Sequence, residues 1–156
     1  MAENRTPLTR RRSIAVLARL AGLVALSFGG SRAALAASAE QTSAIRKVVE
    51  AQLAAFAADD AELAFSLATD SIRQQFGTAQ RFLELVRQQY APVYRPATTA
   101  FREPDEVDSK IFQPVELTDS DGVPWLAVYE VQRQANGDWR INGCMLLKGK
   151  SGSRMI

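Results

Sequence analysis

The sole cysteine of the chain, Cys144, lies in the segment WRINGCMLL (139–147), and the chain contains no histidine. A thiol becomes a nucleophile at neutral pH when a nearby base or cation favours the thiolate, and histidine is the usual base. A zinc site needs several Cys or His ligands, and a disulfide within the chain needs a second cysteine. We therefore expect Cys144 to be a small apolar side chain of the core. An intermolecular disulfide and a thiol that lines a pocket are the alternatives.

Three carboxylates stand next to apolar helix ends, where a general acid or base could be placed. Asp59 and Asp60 follow the first predicted helix, and Asp70 precedes Ile72 and Phe76. Burial in an apolar cavity raises the pKa of a carboxyl group and lets it act as a base. Helix capping is the commoner role of aspartate at such positions. We assign no catalytic residue, and Asp70 is the one candidate.

Four carboxylates lie close together in the segment EPDEVD (103–108). Oxygen ligands of this kind suit calcium, but the segment lacks the glycine and the spacing of a calcium-binding loop. We expect a solvated loop and no metal site. The chain also has no glycine-rich phosphate loop, no G-x-S-x-G and no H-E-x-x-H, which disfavours nucleotide-dependent catalysis and hydrolysis by a triad or by zinc. We expect no cofactor.

Aromatic side chains give the strongest indication of binding. They lie in or beside the predicted sheet, and with one arginine they are suited to hold an apolar ligand that bears a carboxylate. The candidate ligand-binding residues are Tyr90, Tyr94, Arg95, Trp125, Tyr129 and Trp139. Aromatic residues on one sheet face more often form core, which is the alternative role. Tyr and Trp nevertheless carry polar atoms that need partners.

The elements that must position these residues begin with helices. One apolar face is predicted from the helical spacing of Ile45, Val48, Val49, Leu53 and Phe56, with Gln52 on the polar face. Asp59 is predicted to cap a second helix, with Glu62 completing a capping box. The segment TDSIRQQFG (69–77) predicts a short helix that Gly77 closes, and Thr78 is predicted to cap another long helix.

Strands follow the segment YAPVYRPATTAF (90–101), in which Pro92 and Pro96 disfavour helix. Residues 97–103 and 110–117 are the first two predicted strands. The side chains of residues 125–134 alternate between the two faces of a predicted strand. Trp125, Ala127, Tyr129 and Val131 share one of these faces. The Asn136-Gly137 pair predicts a hairpin to a strand over 139–148, and Gly143 predicts a bulge there. Helices followed by an antiparallel sheet predict an α+β fold, in which a curved sheet around a helix leaves a cone-shaped interior.

The charges divide the chain into a basic leader and a mildly acidic body. Residues 1–39 carry six basic groups and one acidic group, whereas residues 40–156 carry 13 basic and 16 acidic groups. The body has no basic stripe, so we expect no nucleic-acid partner. We predict a single domain over residues 40–148 and a flexible tail over 149–156.

The leader has the composition of an export signal. Arg10–Arg12 are followed by an uncharged run of 12 residues, Leu20–Ser31, and then by small residues up to Ala39. That run is shorter than the roughly 20 apolar residues of a membrane span. We predict a cleavable signal over residues 1–39 and a bacterial periplasmic or secreted product without a stable membrane anchor. Ordinary secretion is favoured over the twin-arginine route that RRSI (11–14) resembles, and an uncleaved helix is the alternative.

Three segments resemble a bacterial family catalogued as domain of unknown function 4864, and the resemblance spans residues 41–148. They are IRKVVEAQLAAFAADDAELAFSLATDSIRQQFG (45–77), RFLELVRQQYAPVYRP (81–96) and WRINGCMLL. The helix-then-sheet order is similar to the nuclear-transport-factor-two-like superfamily, a cystatin-like cone. That resemblance implies no single function, because the fold hosts isomerases, dehydratases, cyclases and non-catalytic ligand-binding or dimerising proteins. It carries over no catalytic residue.

Two functions fit these observations. The first is an exported, non-catalytic domain that binds a small apolar ligand or a protein partner, a second copy being one such partner. The alternative is a small lyase or isomerase that uses Asp70 as a base in a cone-shaped cavity, with a tyrosine as acid.

Overall fold

The computed structural model describes residues 30–149, with side-chain surroundings from residue 38 onward. Five helices come first: α1 (Gly30–Ala57), α2 (Ala61–Ser66), α3 (Asp70–Phe76), α4 (Ala79–Gln89) and α5 (Ala91–Tyr94). Five strands follow: β1 (Thr98–Phe101), β2 (Asp105–Val107), β3 (Lys110–Thr118), β4 (Pro124–Arg133) and β5 (Trp139–Lys148). This order confirms the α+β prediction. The export signal and the tail fall mainly on residues 1–29 and 150–156, which lie outside the described residues.

The five strands form one antiparallel sheet. Its order is β1-β3-β4-β5, and β2 also pairs with β3. The hairpin between β4 and β5 turns at Gly137, whose φ of 91° lies in the region that glycine adopts freely. The register slips between Glu130 and Val131, which pair with Gly143 and Ile141. Asn142 is therefore the extra residue of a bulge, and the predicted bulge at Gly143 is confirmed.

The core lies between one face of α1 and the inner face of the sheet. The five apolar residues predicted for the buried face of α1 are all buried. On β4, Ala127, Tyr129 and Val131 are buried, as the alternation predicted. The opposite face of β5 leaves Met145 and Leu147 exposed at 56% and 46%. The apolar face of α1 and the inner face of the sheet thus pack against each other in a single apolar layer.

Four local predictions were wrong. Asp60, not Asp59, caps α2, because its Oδ1 accepts from the Leu63 amide at 3.0 Å. Asp59 instead adopts a left-handed φ of 58° in the turn after α1. Pro92 lies in the first turn of the short α5, where its missing N–H costs no hydrogen bond. The EPDEVD segment contributes β2 to the sheet, and Gln52 is buried rather than on the polar face.

Within residues 30–149, none of the helices combines the length and the hydropathy that a membrane span requires.

Candidate ligand-binding cavity

A cavity of about 200 Å³ lies between the helices and the inner face of β4 and β5. Helix α1 contributes Phe56 to its wall, α3 contributes Phe76, and α4 contributes Phe82. The wall is mainly apolar, and its polar members within the described residues are Gln52, Gln75, Tyr90, Tyr129 and Cys144. A mainly apolar, concave wall with a few polar groups is the usual character of a small-molecule site.

The antiparallel register brings the two most unusual side chains of the wall together. Tyr129 of β4 is paired directly with Cys144 of β5. Residues opposite each other in an antiparallel pair direct their side chains to the same face of the sheet. Both side chains therefore point inward, where Ala127 and Val131 flank Tyr129 in a buried row.

Helix α3 closes the side of the cavity next to β5. The chain between α2 and α3 forms two backbone hydrogen bonds with β5. The Thr69 amide donates to the Ile141 carbonyl at 2.9 Å, and the Ile141 amide donates to the Leu67 carbonyl at 2.9 Å. Gly77, with φ of 74°, ends α3 as predicted. No residue of α3 is buried, although Ile72 and Phe76 line the cavity. The α3 side of the cavity is therefore formed by partly exposed side chains.

The hydroxyl of Tyr129 is buried without a hydrogen-bond partner. The residue is 1% exposed, and its Oη is the buried side-chain atom without a partner among the described residues. Burial raises the pKa of Tyr129 well above its usual value, and the neighbouring Cys144 thiol raises it further. A thiol is a weak hydrogen-bonding group, so it does not replace a nitrogen or oxygen partner. The phenol is therefore neutral, and it lies in a residue of the cavity wall without a nitrogen or oxygen partner.

Cys144 lies at the cavity wall and stays protonated at neutral pH. Burial raises the pKa of its thiol from 9.0 to about 12, and the neighbouring Tyr129 hydroxyl opposes part of this rise. A thiol with this pKa is not an activated nucleophile. The residue is half-buried and contacts the core cluster. The position of Cys144 therefore fits a thiol that lines a pocket better than a side chain inside the core.

Gln52 is a polar wall residue that the periodicity of α1 did not identify. It is 2% exposed, and its Nε2 donates to the Ala64 carbonyl at 3.1 Å. That bond holds α2 against α1, because Ala64 is a buried residue of α2. The bond uses one N–H of the amide, so its Oε1 and its second N–H have no partner in this bond. The available signal was the spacing of Gln52, since position 52 lies four residues after Val48 and four before Phe56, on the apolar face itself.

The structure brings two of the six predicted ligand-binding residues, Tyr90 and Tyr129, to this cavity. Tyr94 and Arg95 form a surface cluster with Asp59, in which Arg95 Nη2 lies 2.8 Å from Asp59 Oδ2. Arg87 joins the cluster at 2.5 Å from Asp59 Oδ1, and this bond is the main cause of the lowered pKa of Asp59. A ligand role for Tyr94 and Arg95 stays a prediction.

The two tryptophans also lie away from the cavity wall. Trp125 Nε1 donates to Asp119 Oδ2 at 2.8 Å, and this bond is the main cause of the lowered pKa of Asp119. Trp139 begins β5 opposite Arg133, beside the hairpin turn. The polar atom of Trp125 already has its partner. Ligand binding by Trp125 and Trp139 stays a prediction.

The structure does not bring Asp70 to the cavity. Its side chain is 75% exposed and forms an ion pair with Arg73 on the same helix. No carboxylate among the described residues lines the cavity. Within the same residues, no three Asp, Glu, Cys or His side chains come together as a metal site would require. The EPDEVD carboxylates thus belong to a strand and its flanks rather than to a cluster.

Comparison with known proteins gives one match. A family model described as a domain of unknown function (DUF4864) matches residues 38–153. No curated protein and no solved structure matches the chain. The cone geometry and the nuclear-transport-factor-two-like superfamily therefore stay predictions.

Proposed function

The chain belongs to the DUF4864 family of domains of unknown function, and we propose from its cavity that it binds a small, mainly apolar molecule. The observation that carries this proposal is the Tyr129 hydroxyl, which is buried in the cavity wall without a hydrogen-bond partner. An unpaired buried hydroxyl costs stability, on the order of 1–3 kcal/mol. A bound molecule that pairs with this hydroxyl would recover that cost.

The size of the cavity supports a compact ligand. An apolar cavity of about 150 Å³ holds benzene. The present cavity of about 200 Å³ has room for a single ring with one or two small substituents, or for a short branched chain. This volume is below the roughly 300 Å³ at which the sites of drug-sized ligands begin.

Binding is proposed in preference to catalysis. The cavity wall supplies no carboxylate base among the described residues, and the high pKa of Cys144 removes a thiolate nucleophile. Asp70, the candidate base, is exposed and paired with Arg73. The proposal of a non-catalytic domain rests on these positions, and the roles of a protein partner and of a homodimer stay predictions.

A toluene titration of the full chain, followed by amide chemical shifts, tests the binding proposal. Toluene is expected to shift resonances of the cavity wall. Cys144→Leu adds volume inside the cavity and is expected to abolish those shifts. Met145→Leu is the matched control, because Met145 is the next residue but lies on the exposed opposite face of the sheet. Absence of shifts in the wild-type chain, or equal shifts in Cys144→Leu, would contradict the proposal.

We also propose that the domain acts outside the cytoplasm after export. This rests on the basic, apolar and small-residue order of residues 1–39. The test is the N-terminal sequence of the protein recovered from the periplasmic fraction of bacterial cells. A new N-terminus near residue 37 or 40 supports export, whereas an intact chain found in the cytoplasm contradicts it.

A further inference from the structure

We infer that the cavity selects a neutral compact molecule with one hydroxyl, such as a simple phenol, over an organic acid or an amine of the same size. This inference rests on the proposed function and names the ligand class for the same cavity. Three independent features of the wall carry it: its charge, its polar groups and its aromatic rings.

The wall has no charge to pair with a charged ligand. Among the described residues, it contains no Arg, Lys, Asp or Glu side chain. Burial of an unpaired carboxylate or ammonium group is far more costly than burial of a neutral polar group. Arg95, which the sequence offered as a partner for a ligand carboxylate, bonds instead to Asp59 and to the Ala57 carbonyl. The cavity therefore favours a ligand without charge.

The polar groups of the wall suit a hydroxyl. The Tyr129 hydroxyl can donate to a ligand oxygen, since it has no other partner. Gln52 offers an amide oxygen as an acceptor, and one of its two N–H groups donates to the Ala64 carbonyl. A ligand hydroxyl accepts one hydrogen bond and donates another, whereas a ketone or an ether can only accept. One hydroxyl can thus use both kinds of group that the wall presents.

Aromatic rings give the wall its shape. Phe82 lies 5.8 Å from Phe56 and 5.3 Å from Phe76, measured between ring centroids. These tilted and edge-on arrangements are the favourable geometries of aromatic pairs. With Tyr90 and Tyr129, these rings surround a volume of about 200 Å³. A single aromatic ring fits this volume and can make further edge-to-face contacts with the wall.

Three probes that share a methylphenyl ring test the inference: toluene, p-cresol and p-toluate, titrated calorimetrically at pH 7 into the full chain. The wild-type chain is expected to bind p-cresol about fivefold more tightly than toluene, the gain of one net hydrogen bond. The p-toluate anion is expected not to bind. In Tyr129→Phe, toluene affinity should persist while the preference for p-cresol is lost or reversed. Tyr94→Phe, at a tyrosine outside the cavity wall whose hydroxyl donates to Asp59, is the matched control and should keep the preference.

The outcomes separate this inference from the proposed function. If none of the three probes binds, both fail. If toluene and p-cresol bind with equal affinity, or if p-toluate binds as tightly as p-cresol, the cavity is a binding site but the hydroxyl class is wrong. If Tyr129→Phe retains the full preference for p-cresol, Tyr129 is not the group that recognises the hydroxyl. If Tyr129→Phe does not fold, the relative affinities of the wild-type chain for the three probes still decide the ligand class.

Discussion

Replacement of Tyr129 by phenylalanine is expected to stabilise the ligand-free protein. The substitution removes one oxygen atom and keeps the ring, which is buried between Ala127 and Val131 on the inner face of β4. In most proteins, the loss of a buried hydroxyl destabilises, because the hydroxyl was hydrogen-bonded. Here the hydroxyl has no partner, so its removal ends a desolvation cost instead of breaking a bond.

The expected magnitude follows from that cost. An unpaired buried polar group costs on the order of 1–3 kcal/mol, and loss of the weak contact with the Cys144 thiol returns part of it. We expect the free energy of unfolding to increase by about 1 kcal/mol. For a domain of this size, such a change raises the midpoint of thermal unfolding by about 4 °C.

Urea unfolding at pH 7 and 25 °C measures this change, with tryptophan fluorescence as the signal. The midpoint should move to higher urea while the slope stays constant, which indicates a change of stability alone. Tyr90→Phe is the control, because Tyr90 is only half-buried, and its effect should stay within about 0.5 kcal/mol. A loss of 1 kcal/mol or more in Tyr129→Phe would refute the reasoning. It would mean that a water or another group is hydrogen-bonded to the hydroxyl. The ligand proposal would then lose the unpaired hydroxyl on which it rests.

Further expectations concern ionisation, mobility and backbone conformation. The unfolded chain ionises its cysteine near the ordinary value of 9.0 but the folded chain only near 12, so stability should fall as pH rises through this interval. Between pH 8 and 10, Cys144→Ala should lose about 1 kcal/mol less stability than the wild-type chain in urea unfolding, and parallel losses would contradict the raised pKa. The amides of α3 should exchange with solvent faster than those of α4, because α3 buries no residue and α4 buries four. Toluene should slow that exchange, and unchanged rates would mean that α3 does not close the cavity. Asp59→Ala should lower the thermal midpoint more than Asp59→Asn, since asparagine tolerates a φ of 58° better than alanine. Equal midpoints would show that this conformation has no influence on stability.

The sequence alone determined the elements and which of their faces are buried. The spacing from Ile45 to Phe56 identified the buried face of α1, and the alternation along β4 placed Tyr129 in the core. Turn chemistry located the hairpin at Asn136-Gly137 and the bulge at Gly143. These features depend on residues within a few positions of one another, where periodicity and backbone preference decide the conformation. The same local rules failed between Asp59 and Asp60, because the capping box with Glu62 favoured Asp59 whereas Asp60 is the residue that caps α2.

Only the tertiary structure decided which side chains share a site. Tyr129 and Cys144 are 15 positions apart and become neighbours through the register of β4 and β5. Tyr94 and Arg95, predicted with Tyr129 as ligand-binding candidates, instead bond to Asp59 at the surface, more than 30 positions away in the sequence. Gln52 is buried because its amide reaches the Ala64 carbonyl of the next helix. Each of these placements depends on how separate elements pack. The unpaired Tyr129 hydroxyl in the cavity wall results from that packing rather than from any local pattern.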